Sequence, residues 1–101
     1  MGVKIFPVED GVLNASIDGD IDHHSARETR ESIDNYITNF SPKLLNMDFS
    51  GVKFMDSSGI GLIMGRYKLM NSLGGRLKII GVPKKLERMI KLSGLGKLGI
   101  F

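Results

Sequence analysis

Phe54-Met55-Asp56-Ser57-Ser58-Gly59-Ile60-Gly61 is the stretch on which the fold turns. A β-prone apolar run, Leu44 to Phe49, stands before it, and Ser50-Gly51 predicts a turn. Behind it Ile60, Ile63, Met64, Tyr67, Met70 and Leu73 recur at helical spacing. Between the two lie an aspartate, two serines and a glycine, the residue types that bend a chain and cap a helix. A strand therefore hands over to a helix here, with Asp56, Ser57 or Ser58 as its N-cap. Gly74-Gly75 closes the helix as a C-terminal stop.

The same alternation extends in both directions. Downstream, Arg76 to Val82 reads as a strand, and Pro83 suits the first position of a third helix with Leu86, Met89, Ile90 and Ser93 on one face. Gly94-Leu95 fits a Schellman ending, and Lys97 to Phe101 reads as a last short strand. Upstream, Val3 to Phe6 is β-prone and Glu9-Asp10-Gly11 predicts a hairpin turn. Val12 to Asp18 alternates apolar and polar residues, and Asp18-Gly19-Asp20 reads as its end. Ser25-Ala26-Arg27-Glu28 fits a capping box. Thr29, Ile33, Tyr36, Ile37 and Phe40 then mark a helix that stops before Ser41-Pro42. The expected order is β-β-α-β-α-β-α-β: an α/β domain over residues 1–101, with a mixed four- to five-stranded sheet and helices packed on it.

Composition narrows the function classes. With 101 residues, 42% hydrophobic and 25% charged, the chain is long enough for one core. No cysteine is present, which excludes disulfides and thiolate metal sites. There is no Trp, and two Tyr and five Phe make a poor stacking platform for single-stranded nucleic acid. The net charge of +3 is concentrated where acids cease after Glu87. Lys84, Lys85, Arg88, Lys91 and Lys97 read as a solvated face rather than a nucleic-acid groove. The longest apolar run, Gly59 to Gly65, is far below a membrane span of about 20 residues. The N-terminus reads neither as a signal peptide nor as a myristoylation signal, so a cytoplasmic protein is expected.

The segment that carries chemistry is again Asp56-Ser57-Ser58-Gly59. It delivers two hydroxyls to a helix N-terminus, where free amides and the macrodipole favour an anion. With Leu62-Ile63-Met64-Gly65-Arg66-Tyr67-Lys68 behind it, the segment resembles the STAS domain of bacterial anti-sigma factor antagonists. Asp20-Ile21-Asp22-His23-His24, Gly74-Gly75-Arg76-Leu77 and Met89-Ile90-Lys91-Leu92-Ser93-Gly94-Leu95 agree with that resemblance, which covers nearly the whole chain in order. The resemblance implies a partner switch. Ser57 would be phosphorylated by an anti-sigma factor that is a serine kinase of the SpoIIAB type, and reset by a serine phosphatase of the SpoIIE type. The unphosphorylated form would bind the kinase and release sigma factor. The partner-facing surface would comprise Asp22, Asp56, Ser57, Ser58, Gly59 and Ile60, with Ser58 as local cap. The protein would be a kinase substrate rather than an enzyme, and no cofactor or metal is expected. The sporulation branch acting on sigma-F is the nearest likeness; stress-response antagonists share the motif. The resemblance also implies a C-terminal helix past the last strand, for which no residues follow Phe101.

Several residues have readings apart from the resemblance. Asp22 and His24 could simply serve a cap at Ser25 or lie in an exposed loop. Asp56 could hold the Ser57 hydroxyl, touch the partner or form an Asx-turn. Gly59 and Gly61 would permit close approach by a partner or a neighbouring strand. Met55, Met64, Met70 and Met89 sit at core-like spacing. A serine hydrolase built on Ser57 or Ser58 with His23 or His24 and Asp22 lacks the G-x-S-x-G elbow. A metal site on Asp22, His23 and His24 is disfavoured because adjacent side chains rarely converge on one ion. A ligand-sensing STAS module is the remaining alternative.

Overall fold

The computed structural model describes residues 2–101. Strands β1 (Gly2–Glu9), β2 (Val12–Ile21), β3 (Leu44–Met55) and β4 (Arg76–Ile80) form one sheet in the order β1-β2-β3-β4. β1 and β2 are antiparallel, and β2, β3 and β4 run parallel. The hairpin turns through Asp10 and Gly11, both at positive φ, the conformation that makes Asp-Gly a favoured two-residue hairpin loop. The parallel pairs are bridged by helices α1 (His23–Phe40) and α2 (Ser57–Ser72). Helix α3 (Lys84–Leu92) and a 3-10 turn (Leu95–Leu98) complete the chain.

Strand order advances in one direction, so right-handed crossovers place α1 and α2 on the same side of the sheet. Burial agrees with this. Leu13, Leu45 and Leu77 stand side by side across β2, β3 and β4, and Ala15, Met47 and Ile79 form the next row. All six are buried, and Ile33 and Ile37 of α1 and Leu62, Ile63 and Met70 of α2 share their core. Leu86, Ile90, Leu95 and Ile100 extend it. The alternate positions carry polar groups, and Asn46 Nδ2 donates to Asn14 Oδ1 at 3.1 Å. Two-residue periodicity thus separates a helix-covered face from an open one.

Five local expectations are corrected. Asp18-Gly19-Asp20 does not end β2, and Ser50-Gly51 does not turn the chain. β2 and β3 stay paired as far as Ile21 and Met55, with register shifts absorbing the irregular residues. Gly51 pairs with Asp18 in the ladder, and glycine is required there because a Cβ would lie 2.8 Å from Asp18 Cβ. The first helix begins with Asp22 as N-cap, three residues before Ser25. Pro83 is the N-cap of α3 rather than its first residue, in an extended conformation with ψ 143°. The segment after Lys97 is not a strand: Gly94 and Gly99 adopt positive φ and wind Leu95–Leu98 into a 3-10 turn. Its end still closes part of the β4 edge, since Ile79 N donates to Ile100 O at 2.6 Å. The sheet therefore has four strands.

Candidate functional site

Two neighbouring parallel strands end together. Ile21 of β2 pairs with Met55 of β3, and Asp56 N donates to Ile21 O at 3.1 Å. Each strand is followed by an aspartate and then a helix. Asp22 and Asp56 have similar extended conformations, with φ −120° and −98° and ψ −176° and −169°. The chemistry is therefore concentrated at the carboxyl ends of parallel strands, where open α/β sheets present their sites.

Both aspartates are caps. Asp56 Oδ1 accepts from Ser58 N at 2.8 Å, satisfying one of the free amides of α2. Ser58 is thus the capped residue and Asp56 the cap, while the Ser57 hydroxyl is not held by Asp56. Asp22 Oδ1 accepts from Ser25 N at 2.9 Å, and Asp22 N donates to Ser25 Oγ at 2.9 Å. This is a reciprocal box in which Ser25, not Glu28, is the third helical residue. Ser25 Oγ also lies 3.1 Å from Asp20 O as a donor. The hydrogen bonds from the Ser25 amide and hydroxyl hold the Asp22 carboxyl below its ordinary value, so it is an anion at neutral pH.

Ser57, the first residue of α2, is exposed. Among the described residues its hydroxyl makes no hydrogen bond, so Oγ is open to solvent. Ile60 is half-buried on the following turn. Gly59 is buried, and a Cβ there would sit 2.1 Å from Met55 Cγ, so its smallness is required by the strand beneath. Gly61 is different: a Cβ would meet nothing within 4 Å. The structure thus brings Asp22, Asp56, Ser57, Ser58 and Gly59 to one end of the sheet. His23 and His24 open α1 beside them, and no group of three or more His, Cys, Asp or Glu among the described residues could hold a metal ion.

One feature escaped sequence reading. Arg66 of α2 is buried and its Nε lies 2.8 Å from Asp34 Oδ1 of α1. The two are 32 positions apart, and only the packing of the helices joins them. Burial raises the Asp34 carboxyl above its ordinary value despite the nearby guanidinium, and lowers Arg66 likewise.

A four-stranded mixed sheet with helices on one face, and an Asp-Ser-Ser-Gly segment that opens a helix at the strand ends, define the class. Residues 4–100 match the STAS domain family, and the chain belongs to it. Among relatives, the anti-sigma F factor antagonist of Paenibacillus polymyxa is 36% identical over 88 residues, 87% of this chain and 75% of that protein. The anti-sigma-B factor antagonist of Bacillus subtilis is 30% identical over 83 residues, 82% of this chain and 74% of its own. Among solved structures, the anti-sigma factor antagonist SpoIIAA in its unphosphorylated form superposes with a TM-score of 0.85 at 26% identity, covering 95% of this chain and 84% of that one. SpoIIAA in its phosphorylated form gives 0.78 at the same identity, covering 95% and 86%.

Proposed function

We propose that this chain is an anti-sigma factor antagonist that works by partner switching, with Ser57 as phosphoacceptor. The observation that carries the reading is the exposed, unbonded Ser57 hydroxyl at the first position of α2, next to the Asp56 cap in a STAS fold. In the unphosphorylated state the surface made by Asp22, Asp56, Ser57, Ser58, Gly59 and Ile60 engages an anti-sigma factor, and sigma factor is released. That anti-sigma factor is also a serine kinase. It passes the terminal phosphoryl group of ATP to Ser57 Oγ, takes up the hydroxyl proton and leaves ADP. A serine phosphatase hydrolyses the ester and restores the binding form. The chain itself is substrate, not catalyst.

The physical chemistry of the site suits this switch. A phosphoserine carries about −1.5 to −2 charges and three acceptor oxygens. The α2 amides and dipole tolerate it, so the fold survives. A partner fitted to the neutral hydroxyl meets repulsion and desolvated charge instead. A penalty of about 3 kcal/mol at that contact weakens binding more than a hundredfold. No refolding is needed. That solved neighbours carry the names of both an unphosphorylated and a phosphorylated form supports this reading. The sporulation sigma-F circuit, in the cytoplasm, is the assignment favoured by the Paenibacillus relative. A stress-response circuit is the second reading, favoured by the sigma-B antagonist at 30% identity.

The test is peptide mass spectrometry after incubation with ATP and the anti-sigma factor kinase from the same genome. One phosphate on Ser57 is expected. A phosphate on Ser58 would keep the function and move the site. No phosphate, with the kinase active on another substrate, would refute the reading.

A further inference from the structure

A concave groove of about 610 Å³ runs between the first turns of α1 and α2, beside the phosphoacceptor. Its α1 wall presents His23, Arg27 and Arg30, which at i, i+4 and i+7 share one helix face. The α2 wall presents Ser58, Gly61 and Leu62. No carboxylate lines the groove among the described residues. The cations there are weakly engaged. Arg27 Nε is 3.9 Å from Glu31, an exposed pair within one helix that holds little energy. Arg30 forms no ion pair within 4 Å among the described residues, although its charge is felt by Asp34 and Arg66.

The groove is also built for close approach by a chain. Gly61 lies inside α2, where glycine is less favourable than alanine. A Cβ there would meet nothing within 4 Å. What its absence provides is depth: a path along the α2 backbone, floored by the buried Ala26 and Leu62. A space of this size with an apolar floor suits a side chain on a peptide segment better than a single small anion. Arginine pairs on one wall are how proteins recognise acidic motifs.

We propose that this groove docks an acidic segment of the anti-sigma factor, with an apolar side chain seated over Ala26 and Leu62 and carboxylates facing Arg27 and Arg30. The proposal rests on the reading of the chain as an antagonist and adds a second determinant beside Ser57. It separates two tasks. The Ser57 end senses phosphorylation, and the groove supplies partner choice and electrostatic steering.

The test is calorimetric titration and stopped-flow association of the whole chain with the anti-sigma factor of the same genome, at low and at physiological salt. Arg27→Gln with Arg30→Gln should weaken binding about tenfold, mainly through slower association, and the loss should shrink as salt screens the pair. Gly61→Leu should weaken binding at every salt concentration by filling the groove, with the circular dichroism spectrum unchanged. Phosphorylation of Ser57 at saturating kinase should persist in both variants. If both bind like wild type while Ser57→Asp does not, the groove proposal is overturned and the antagonist reading stands. If wild type binds no anti-sigma factor at all, the antagonist reading fails and the groove loses its assigned occupant.

Discussion

Removing the Asp34 carboxylate should cost far more than removing the arginine it faces. The Arg66 side chain is 7% exposed and that of Asp34 is 33% exposed, with 2.8 Å between Nε and Oδ1. Beyond this ion pair, Arg66 Nε and Nη1 and Asp34 Oδ1 are buried with no hydrogen-bond partner among the described residues. The upward shift of Asp34 and the downward shift of Arg66 point the same way: desolvation outweighs the mutual attraction. Such a pair contributes little net stability, yet breaking it strands a charge. Stranding a fully buried charge costs about 3–5 kcal/mol, and the water that reaches Asp34 lowers the expectation for Asp34→Ala to about 2–3 kcal/mol. For a domain of this size that is a fall in Tm of about 8–24 °C. Arg66→Met leaves a carboxylate whose Oδ1 is buried but whose side chain is one-third exposed, so its cost should be smaller, about 1 kcal/mol, roughly that of an ordinary core adjustment. The double variant Asp34→Leu with Arg66→Met should return to within about 1 kcal/mol of wild type. Urea unfolding followed by circular dichroism, with the slope against urea held constant, measures all three. An Asp34→Ala variant within about 0.5 kcal/mol of wild type would refute the reasoning, because it would mean that Arg66 finds other company.

Four further outcomes are expected. The Asp22 and Glu87 carboxyls are held below their ordinary values, so the stability they contribute is present above the unfolded values of 3.8 and 4.5 and is lost as pH falls through the lower folded ones. Asp34 has the opposite sign, its contribution being present in acid and lost as pH rises through its raised folded value. Urea midpoints taken between pH 2 and 6 should therefore show a shallower acid-side decline in Asp22→Asn. Gly61→Ala should raise stability by about 0.8–1 kcal/mol because its Cβ meets open space, whereas Gly59→Ala should lower it by about 1–3 kcal/mol against Met55; thermal melts decide both. Asp56→Ala should cost about 1 kcal/mol through loss of the bond from Ser58 N, seen as earlier amide exchange in the first turn of α2. Ser57→Ala should bind the anti-sigma factor and resist phosphorylation, while Ser57→Asp should fold normally and bind poorly; equal affinities in a pull-down titration would sink the electrostatic switch.

Local chemistry made much of this legible from residues alone. The Asp10-Gly11 turn, the apolar stripes of α1 and α2 and the strand-to-helix handover at Asp56 follow from short-range geometry, because a period of two or of 3.6 is written directly in the order of side chains. The Asp-Ser-Ser-Gly segment and the family resemblance came from the same local reading. Errors arose where a local signal competed with pairing between distant strands. Ser50-Gly51 and Gly19 look like breaks, yet the ladder between β2 and β3 carries both strands through them. The cap of α1 moved from Ser25 to Asp22 because β2 runs on to Ile21 and hands the chain to the helix three residues earlier.

The order of residues by itself determined most of the elements, the core-facing stripes and the family, since each depends on neighbours within a few positions. Tertiary structure alone decided that Ile21 and Met55 end side by side, that Asp34 meets Arg66, and that Arg27 and Arg30 face Gly61 across a groove. Those relations join residues about 30 positions apart. They are set by sheet register and by how α1 and α2 settle on the same face, and no local pattern in the chain encodes them.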